Sequence, residues 1–482
     1  MGLRGKIEVL TSEARELLAT AALDILATMG LTVHHEEVLA NMQAMGCDVD
    51  FTSHVAKIPE SVILPIIEEQ KAKQERPKQP ETAAERSAKP YTASFYHNAP
   101  FYLDWAAGEK RYGTHDDALA MIRLADVLPE VSTVSCPLML MGVDSRVEPL
   151  HTQALLIRNA RNYGSVDIPL PNMVEYFAEL GRIVANDAGR FMPGVQFTIS
   201  PMSLDKRTCD LVAAKAKHGA HYESGSQATA GGNSPVTVAG TVAQAAAEIL
   251  AGWVAARAIK PDIDLYGICC TGVIDMATGN ATFSSPETVL QDAAIVQLFE
   301  SEFGGHTRAV GQSYIGPKVP GIQATMERAF KTMALGSMLG GFASVGAGVL
   351  DSGNVFSPTQ AMLDIDYGKM LWSFNKGFDV NEDTIGLDTI RDVLAGGRSM
   401  FLDTPHTMAH FREALWFPEL LSRVPTAETN SDCDRLLAAA DEKWRAALAG
   451  YEQVEIDPAV DKAISELMTR AEQDLLSRSS EY

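Results

Sequence analysis

The stretch GAHYESGSQATAGGNSPVTVAGTVAQAAAEILAGWVAARAIKPDIDLYGICCT, residues 219–271, decides the fold. It begins with a strand-like run at 219–224 and ends with an apolar run at 263–271, and an alanine-rich helical segment at 241–258 lies between them. Two strands separated by a helix favour a parallel pair joined by a right-handed crossover. Small and polar residues form the loop at 227–233, and Ser234-Pro235 predicts the start of the helix.

The same alternation of strand and helix continues over most of the chain. Helical segments lie between eight strand-like runs, at 93–97, 132–142, 164–168, 194–200, 219–224, 263–271, 307–314 and 342–350. Eight such units predict a TIM-like (β/α)8 barrel of the α/β class. We divide the chain into a helical N-terminal region at 1–70, a charged linker at 71–90, the barrel at 91–400 and a helical C-terminal region at 401–482.

Composition restricts the class of protein and its ligands. The chain has 482 residues, of which 46% are hydrophobic and 21% charged, as in a globular protein. Its net charge of −22 argues against nucleic-acid binding, which needs a basic surface, and is compatible with a cationic substrate.

The cysteines and the N-terminal segment indicate the compartment. Six cysteines form no CxxC pair, and the N-terminal segment becomes amphipathic and acidic at once. The uncharged run at 332–350 contains five glycines, and we interpret it as a buried helix that leads into a buried strand. We therefore expect a cytoplasmic protein with no signal peptide and no membrane span.

In a TIM barrel, the loops at the carboxyl ends of the strands carry the chemistry, and we call this end the barrel mouth. Tyrosines with nearby carboxylates can hold a quaternary ammonium group through cation–π attraction. Half-buried tyrosines with ordinary hydrogen bonds are the structural alternative, and the residue pattern alone names no reaction. The candidates for substrate binding at the mouth are Tyr96, His97, Tyr102, Tyr222, Glu223, Gln227, Tyr266, Gln312, Tyr314 and Asp351.

The usual catalytic motifs are missing. The sequence contains no GxSxG, GxxxxGK[ST] or HExxH pattern. His406 and His410 are spaced i, i+4 and could face a metal, but no third ligand is near in the sequence, so capping or packing is the simpler interpretation and we assign no metal ligand. Cys269 and Cys270 lie in an apolar strand, where a core position is the simpler interpretation.

Several blocks resemble one known family in both sequence and order. They include SPMSLD (200–205), ATAGGNSPVTVAGTVAQAAAEILAG (228–252), IDMATGNATFSSPE (274–287) and SPTQAMLDIDYGKM (357–370). Through these blocks the sequence resembles the trimethylamine methyltransferase family, which includes members that act on glycine betaine and other quaternary amines. The resemblance covers nearly the whole chain.

The resemblance implies a reaction and its partners. A methyl group would move from a methylated amine to the cobalt(I) of a corrinoid (cobalamin) cofactor, which a separate corrinoid protein carries and docks over the barrel mouth. No tightly bound cofactor is then expected in this chain, and positioning matters more than an acid–base pair, in keeping with the missing motifs. We also expect a homo-oligomer.

One departure from the family directs the choice of substrate. The trimethylamine enzymes carry a pyrrolysine, whereas this sequence has only standard residues, with Tyr314 to Lys318 near the special position in GQSYIGPKVPGIQ (311–323). A tertiary amine is a poor methyl donor without activation, whereas a quaternary amine already has a neutral leaving group. We therefore expect a glycine betaine-like substrate.

The candidate residues divide by role for such a substrate. Glu223 or Asp351 would face the ammonium, and the residues that could bind a carboxylate are His97, Gln227, Gln312 and Lys318. Two alternatives stay open. One is a metal-assisted methyltransferase that uses His406, His410 and a cysteine, and the other is a non-catalytic amine-binding barrel.

Overall fold

The computed structural model describes residues 6–74, 92–95, 98–310, 313–341, 345–421, 423 and 432–478. The chain is a mixed α/β protein in which helices alternate with short, mainly parallel strands. Most of the predicted charged linker, residues 75–90, lies outside the described residues. The division of the chain at 70, 90 and 400 therefore stays a prediction.

The N-terminal region joins the central part through a small sheet. Its elements are α1 (Ser12–Asp24), β1 (Leu31–Val33), α2 (Glu36–Ala44), β2 (Asp48–Asp50), β3 (Val55–Lys57) and α3 (Glu60–Gln74). The Thr11 side chain caps α1 by accepting a hydrogen bond from the Ala14 backbone N–H. Strand β1 pairs antiparallel with β3 and parallel with β8 (Ser203–Leu204), so this region is attached to a central loop.

Four strands form an all-parallel sheet, in the order β14-β11-β9-β7. They are β7 (Val195–Phe197), β9 (Tyr222–Ser226), β11 (Leu265–Cys269) and β14 (Thr307–Ala309), and they are connected through α7 (Lys206–Ala216), α8 (Val238–Ile259) and α9 (Pro286–Leu298). In the register, Glu223 lies opposite Tyr266, and Ile268 lies opposite Arg308. The strand–helix–strand unit predicted from residues 219–271 is present.

The other predicted strand runs also pair in parallel. Strand β4 (Ala93–Ser94) pairs with β15 (Val345–Gly346), Ala93 forms a parallel bridge to Val131, and Val134 forms one to Tyr163. Within the described ranges, no pairing joins Tyr163 to β7 or β14 to β15. The parallel α/β class is thus confirmed, whereas the strand pairings do not form a closed ring.

Helix α8 is the central core helix. Residues along its whole length are buried, including Trp253, whose indole Nε1 donates to the Tyr266 carbonyl at 2.8 Å. By length and composition alone it could cross a membrane, but 83% of its apolar window is buried inside the protein, as in the core helix of a globular domain. The predicted start at Ser234-Pro235 is wrong, because the Thr237 side chain provides the N-cap.

The remaining elements surround this core. Helices α4 (His115–Val127), α5 (Glu148–Asn159), α6 (Val174–Ala185), α10 (Ile322–Leu339) and α11 (Pro358–Lys376) follow strand runs. A second sheet has the order β16-β17-β5-β6, formed by β16 (Val349–Leu350), β17 (Val355–Phe356), β5 (Phe101–Asp104) and β6 (Glu109–Tyr112). A third has the order β10-β12-β13, formed by β10 (Thr229–Ala230), β12 (Gly272–Ile274) and β13 (Ala281–Thr282).

The C-terminal part is helical. Its elements are α12 (Glu382–Ile385), α13 (Leu387–Leu394), α14 (Pro405–Ala414), α15 (Asp432–Ala449) and α16 (Pro458–Ser477). Helix α15 packs on α11 and α16 packs on α6. Asp441 of α15 accepts hydrogen bonds from Thr359 of α11 at 2.9 Å and from the Trp444 indole at 2.8 Å, which joins the two helices through a buried carboxylate.

Candidate functional site at the carboxyl ends of the strands

The loop after β9, which contains Gln227, has a defined backbone structure held by hydrogen bonds. Its residues Thr229 and Ala230 form β10, which pairs in parallel with β12 from the loop after β11. The Asn233 side chain accepts a hydrogen bond from the Thr229 N–H at 2.6 Å and closes a tight turn. Gly231 has φ of +78°, which favours glycine at this turn. The exposed Gln227 side chain is therefore presented from a rigid backbone.

A buried carboxylate on α8 holds the carboxyl ends of two strands together. Glu248 is fully buried and accepts hydrogen bonds from the hydroxyls of Ser200 at 2.7 Å and Ser226 at 2.6 Å. It also accepts from the Met202 N–H at 3.2 Å and from the Gln244 amide at 3.0 Å. Four donors satisfy both oxygens, so the buried charge is compensated. The sequence reasoning missed this role, although Glu248 is the first charge after the loop.

Two buried cations on α10 hold the loop after β14. Arg328 and Lys331 are both fully buried. Arg328 donates to the carbonyls of Ser313 at 2.7 Å and Val349 at 2.8 Å, and Lys331 donates to the Tyr314 carbonyl at 3.4 Å. These bonds fix the backbone of the loop that carries Tyr314.

Glu327, on the same turn of α10, adds a third attachment. Its Oε2 accepts hydrogen bonds from the Gly316 N–H at 2.9 Å and from the Ser284 hydroxyl at 2.6 Å, and its Oε1 accepts from Gln323 at 2.8 Å. The loop from 313 to 316 is consequently attached to α10 at three points. Its shape is determined by the helix beneath it.

Carboxylates compensate the two buried cations. Asp364 of α11 lies 3.5 Å from the Arg328 guanidinium and accepts a hydrogen bond from the Gly348 N–H at 2.9 Å. Burial raises the pKa of Asp364, and the Arg328 charge opposes that shift. Burial lowers the pKa of Lys331 and raises that of Asp292, and the attraction between the two opposes both shifts.

Tyr314 lies in the loop at this end of the sheet. Its ring centroid is 5.7 Å from that of Phe283. Burial raises the pKa of Tyr314, and the nearby Cys270 and Asp167 add to the shift. Asp167, which the sequence reasoning did not select, lies inside the third predicted strand run, at 164–168. The Tyr314 and Phe283 rings therefore form an aromatic pair at this end of the sheet.

Asp351 belongs to the neighbouring loop. It has φ of +49°, and its backbone N–H donates to the Pro317 carbonyl at 2.8 Å. The next residue, Ser352, donates to the Ile315 carbonyl at 2.7 Å. The turn after β16 is thus docked on the loop that carries Tyr314, and Asp351 is placed beside that loop.

Glu223 and Tyr266 meet at the opposite end of the strands. They line a groove of about 250 Å³ with His221, His306 and Arg308, at the amino ends of β9, β11 and β14. The Glu223 carboxylate is bound by Arg308, at 2.7 and 2.9 Å, and by His221 at 3.1 Å. Burial alone would raise the pKa of Glu223, but the hydrogen bond from His221 and the Arg308 charge outweigh it and lower the pKa.

The remaining sequence candidates lie elsewhere or outside the described residues. Tyr222 is 2% exposed and packs against α7 and α8, and Tyr102 is 4% exposed in β5, beneath the guanidinium of Arg111 at 5.0 Å. Burial raises the pKa of both phenols. Tyr96, His97 and Gln312 lie outside the described residues.

The histidines and cysteines follow their simpler interpretations. His406 and His410 have ring centroids 4.5 Å apart and both contact Asp383, at 2.9 Å and 3.4 Å. In the described part of the chain, no three His, Cys, Asp or Glu side chains are arranged to hold a metal ion. Cys269 and Cys270 are buried, and burial raises the pKa of the Cys270 thiol to about 12, as expected for core residues.

Comparison with known proteins identifies the family. The family described as trimethylamine methyltransferase (MTTB) matches residues 3–475. The chain belongs to the trimethylamine methyltransferase family. Trimethylamine methyltransferase MttB of Methanosarcina barkeri is 25% identical over 97% of this chain and 96% of its own length.

Bacterial relatives in this family carry two substrate names. Trimethylamine methyltransferase MttB of Desulfitobacterium hafniense (strain DSM 10664 / DCB-2) is 23% identical over 82% of this chain and 79% of its own length. A glycine betaine methyltransferase of Desulfitobacterium hafniense (strain Y51) is 27% identical over 55% of this chain and 54% of its own length. The predicted family is therefore confirmed, and so is its methyltransferase class.

Proposed function

We propose that this member of the trimethylamine methyltransferase family transfers a methyl group from a glycine betaine-like quaternary amine to the cobalt(I) of a corrinoid protein. The observation that carries the substrate class is Tyr314, whose ring centroid lies 5.7 Å from that of Phe283, in a loop of standard residues. An aromatic face suits a trimethylammonium group, which offers charge but no hydrogen-bond donor. The relative named glycine betaine methyltransferase supports the same choice.

We also propose that the parallel strands belong to one TIM-like (β/α)8 barrel. Two series of parallel contacts support this. The eighth predicted strand run contacts the first, the first contacts the residue that precedes the second, and the second contacts the residue that precedes the third. The fourth to seventh runs, which contain β7, β9, β11 and β14, pair in that order. In this arrangement the carboxyl ends of the strands form the barrel mouth, and Gln227, Tyr314 and Asp351 surround it.

The reaction is an in-line displacement at the methyl carbon. The carbon–nitrogen bond breaks, its electron pair stays on nitrogen, and the leaving amine is neutral. The reduced corrinoid supplies the nucleophilic electron pair when its protein is docked. The chain's own residues bind and orient the cation and exclude water, and no side chain has to gain or lose a proton.

The substrate residues divide by charge. Tyr314 would face the ammonium, with Asp351 on the neighbouring turn as the negative group, while Gln227 and Lys318 are available for a carboxylate. Glu223 is less suited to the cation because Arg308 already neutralises it. Tyr96, His97 and Gln312 lie outside the described residues and remain predicted substrate contacts.

The rim of the proposed mouth fits a docked partner. Large apolar side chains are exposed in the loops after β7, β9, β11 and β14: Ile199 at 50%, Val236 at 61%, Met276 at 68%, Val319 at 63% and Ile322 at 65%. Exposed apolar surface of this kind is typical of a protein interface. A corrinoid protein seated there would close the site from water. We further propose a cytoplasmic location, in keeping with the buried, unpaired thiols of the described cysteines.

Product analysis tests the function. The purified protein is mixed with a reduced corrinoid protein and with either glycine betaine or trimethylamine, and the demethylated amines are measured by NMR. We expect dimethylglycine from betaine and little dimethylamine from trimethylamine. If trimethylamine is demethylated and glycine betaine is not, the proposed substrate is wrong. If glycine betaine binds but is not demethylated with any of the corrinoid proteins tested, the assignment as an enzyme is wrong.

A further inference from the structure

The groove at the amino ends of β9, β11 and β14 lies at the end of the strands opposite the proposed barrel mouth. Tyr266 is opposite Glu223 in the register, and Arg308 is opposite Ile268, two residues after Tyr266. Because side chains alternate along a strand, Glu223, Tyr266 and Arg308 project from the same face of the sheet. Three neighbouring strand segments thus supply the whole lining of the groove: His221, Glu223, Tyr266, His306 and Arg308.

Glu223 orients two of the donors in this groove. Its Oε1 accepts a hydrogen bond from the His221 ring at 3.1 Å, and its Oε2 accepts from Nε and Nη2 of Arg308 at 2.9 and 2.7 Å. Both carboxylate oxygens are therefore occupied. Among the residues that the structure describes, Nη1 of Arg308 has no hydrogen-bond partner. The guanidinium edge formed by Nη1 and Nη2 is consequently available to another acceptor.

The other side chains of the groove can also donate. The Tyr266 side chain is 37% exposed, and its ring meets the His221 ring edge-on at 5.1 Å between centroids. His306 is exposed, and its backbone is fixed because its carbonyl accepts a hydrogen bond from the Gly267 N–H at 3.0 Å. Of the five lining residues, the single carboxylate is already paired. The groove thus presents N–H and O–H groups to a ligand.

A close backbone approach keeps His221 in its place. Gly194 immediately precedes β7, and a Cβ atom at this position would lie 2.7 Å from Cδ2 and 2.8 Å from Nε2 of His221. These separations are too short for any real side chain. The imidazole therefore lies beside Glu223 only because residue 194 is a glycine.

We propose that this groove binds the phosphate group of a small molecule. An oxyanion can accept hydrogen bonds from every donor in the groove, and the open guanidinium edge suits two phosphate oxygens. A phosphate dianion gains more than a carboxylate from a guanidinium flanked by two imidazoles, which can become charged near neutral pH. The net charge of −22 opposes unspecific anion binding, so these local donors have to supply the affinity. The inference does not depend on the substrate at the mouth.

Isothermal titration calorimetry of the full chain with inorganic phosphate, at constant ionic strength, tests the site. We expect saturable binding to the wild type and roughly 10-fold weaker binding of acetate, since acetate carries a smaller charge. His306→Gln keeps the ion pair of Glu223 and Arg308 and should weaken phosphate binding roughly 5-fold or more. The double variant Glu223→Gln/Arg308→Gln replaces that pair by neutral amides and should abolish binding. His115→Gln, at an exposed histidine of α4, is the matched control and should bind phosphate like the wild type.

Thermal unfolding provides the second measurement. Phosphate should raise the unfolding midpoint of the wild type and of His115→Gln but not that of the double variant, because a ligand that binds only the native state stabilises it. A wild type without saturable phosphate binding, or a double variant that binds phosphate as the wild type does, overturns the proposal. Acetate binding as tight as phosphate binding would also overturn it and would assign the groove to carboxylates.

Discussion

The Ser226 hydroxyl, at the carboxyl end of β9, donates a 2.6 Å hydrogen bond to the buried carboxylate of Glu248 on α8. The same carboxylate binds Ser200 after β7, so one side chain fixes the spacing of two neighbouring strand ends. We expect Glu248→Ala to destabilise the fold by about 3 kcal/mol, because its donors are left buried without an acceptor. Urea unfolding measures this loss, and Gln244→Ala, which removes one of the four donors, is the milder control.

Arg328 and Asp364 form a buried pair beneath the loop that carries Tyr314. Arg328→Met should destabilise the protein by about 3–5 kcal/mol, since it leaves the Asp364 charge buried alone. The double variant Arg328→Met/Asp364→Leu should recover part of the unfolding free energy but not the turnover, because the loop carbonyls lose their donor. A double variant that recovers both quantities would show that Arg328 has no positioning role.

Tyr314 is the aromatic residue at the proposed substrate position. We expect Tyr314→Leu to raise KM for betaine roughly 5- to 30-fold, because a lost cation–π contact of about 1–2 kcal/mol weakens binding by that factor. Tyr314→Phe keeps the ring face and should stay close to wild type. Steady-state kinetics with a saturating corrinoid protein separate KM from kcat. Equal losses in both variants would mean that the hydroxyl matters rather than the ring.

Glu223 lies at the other end of the strands from Tyr314. Glu223→Gln is expected to leave KM for betaine within about 2-fold of wild type, because the carboxylate is already neutralised by Arg308 and lies away from the mouth. Tyr266→Phe, in the same groove, is the companion variant. A large rise in KM in both would move the substrate to the groove.

Lys215 gives the stability a defined pH dependence. Burial lowers the pKa of its ammonium to about 8, from an ordinary value of 10.5. Between these values the unfolded chain holds a proton that the native chain lacks, so stability contributed by this group rises with pH by up to about 1.4 kcal/mol per unit. In urea unfolding across this range, Lys215→Met should lose that slope. Lys462→Met, at an exposed lysine, should keep it.

Much of the fold could be predicted from the alternation of apolar runs and helical segments. The residues at 219–271 predict a strand, a buried helix and a parallel strand, because the spacing of apolar residues indicates which segments are buried. The end of a strand is harder to predict. The run at 219–224 placed Tyr222 and Glu223 at a carboxyl end, but the strand is Tyr222–Ser226, because Gly225 and Ser226 also pair with β11.

The buried charges could not be predicted from local pattern. Glu248 lies among alanines, and Arg328 and Lys331 lie in an amphipathic helix where solvent exposure would be the ordinary assumption. Apart from Gln244, four residues before Glu248, the hydrogen-bond partners named above are 15 to 48 residues away in the sequence, so only the folded chain brings them together. Asp167 lies inside the predicted strand run at 164–168, so the rule for strand ends that selected Tyr314 did not select it.

The three attachments of the loop at 313–316 to α10 have a consequence for protein engineering. Glu327, Arg328 and Lys331 hold backbone groups, so the loop side chains can be exchanged while the main-chain path is kept. A loop transplanted from a relative without its helix would lose its anchors. The unit to graft in a chimaera with altered amine selectivity is therefore the loop together with α10 and its counter-ion Asp364.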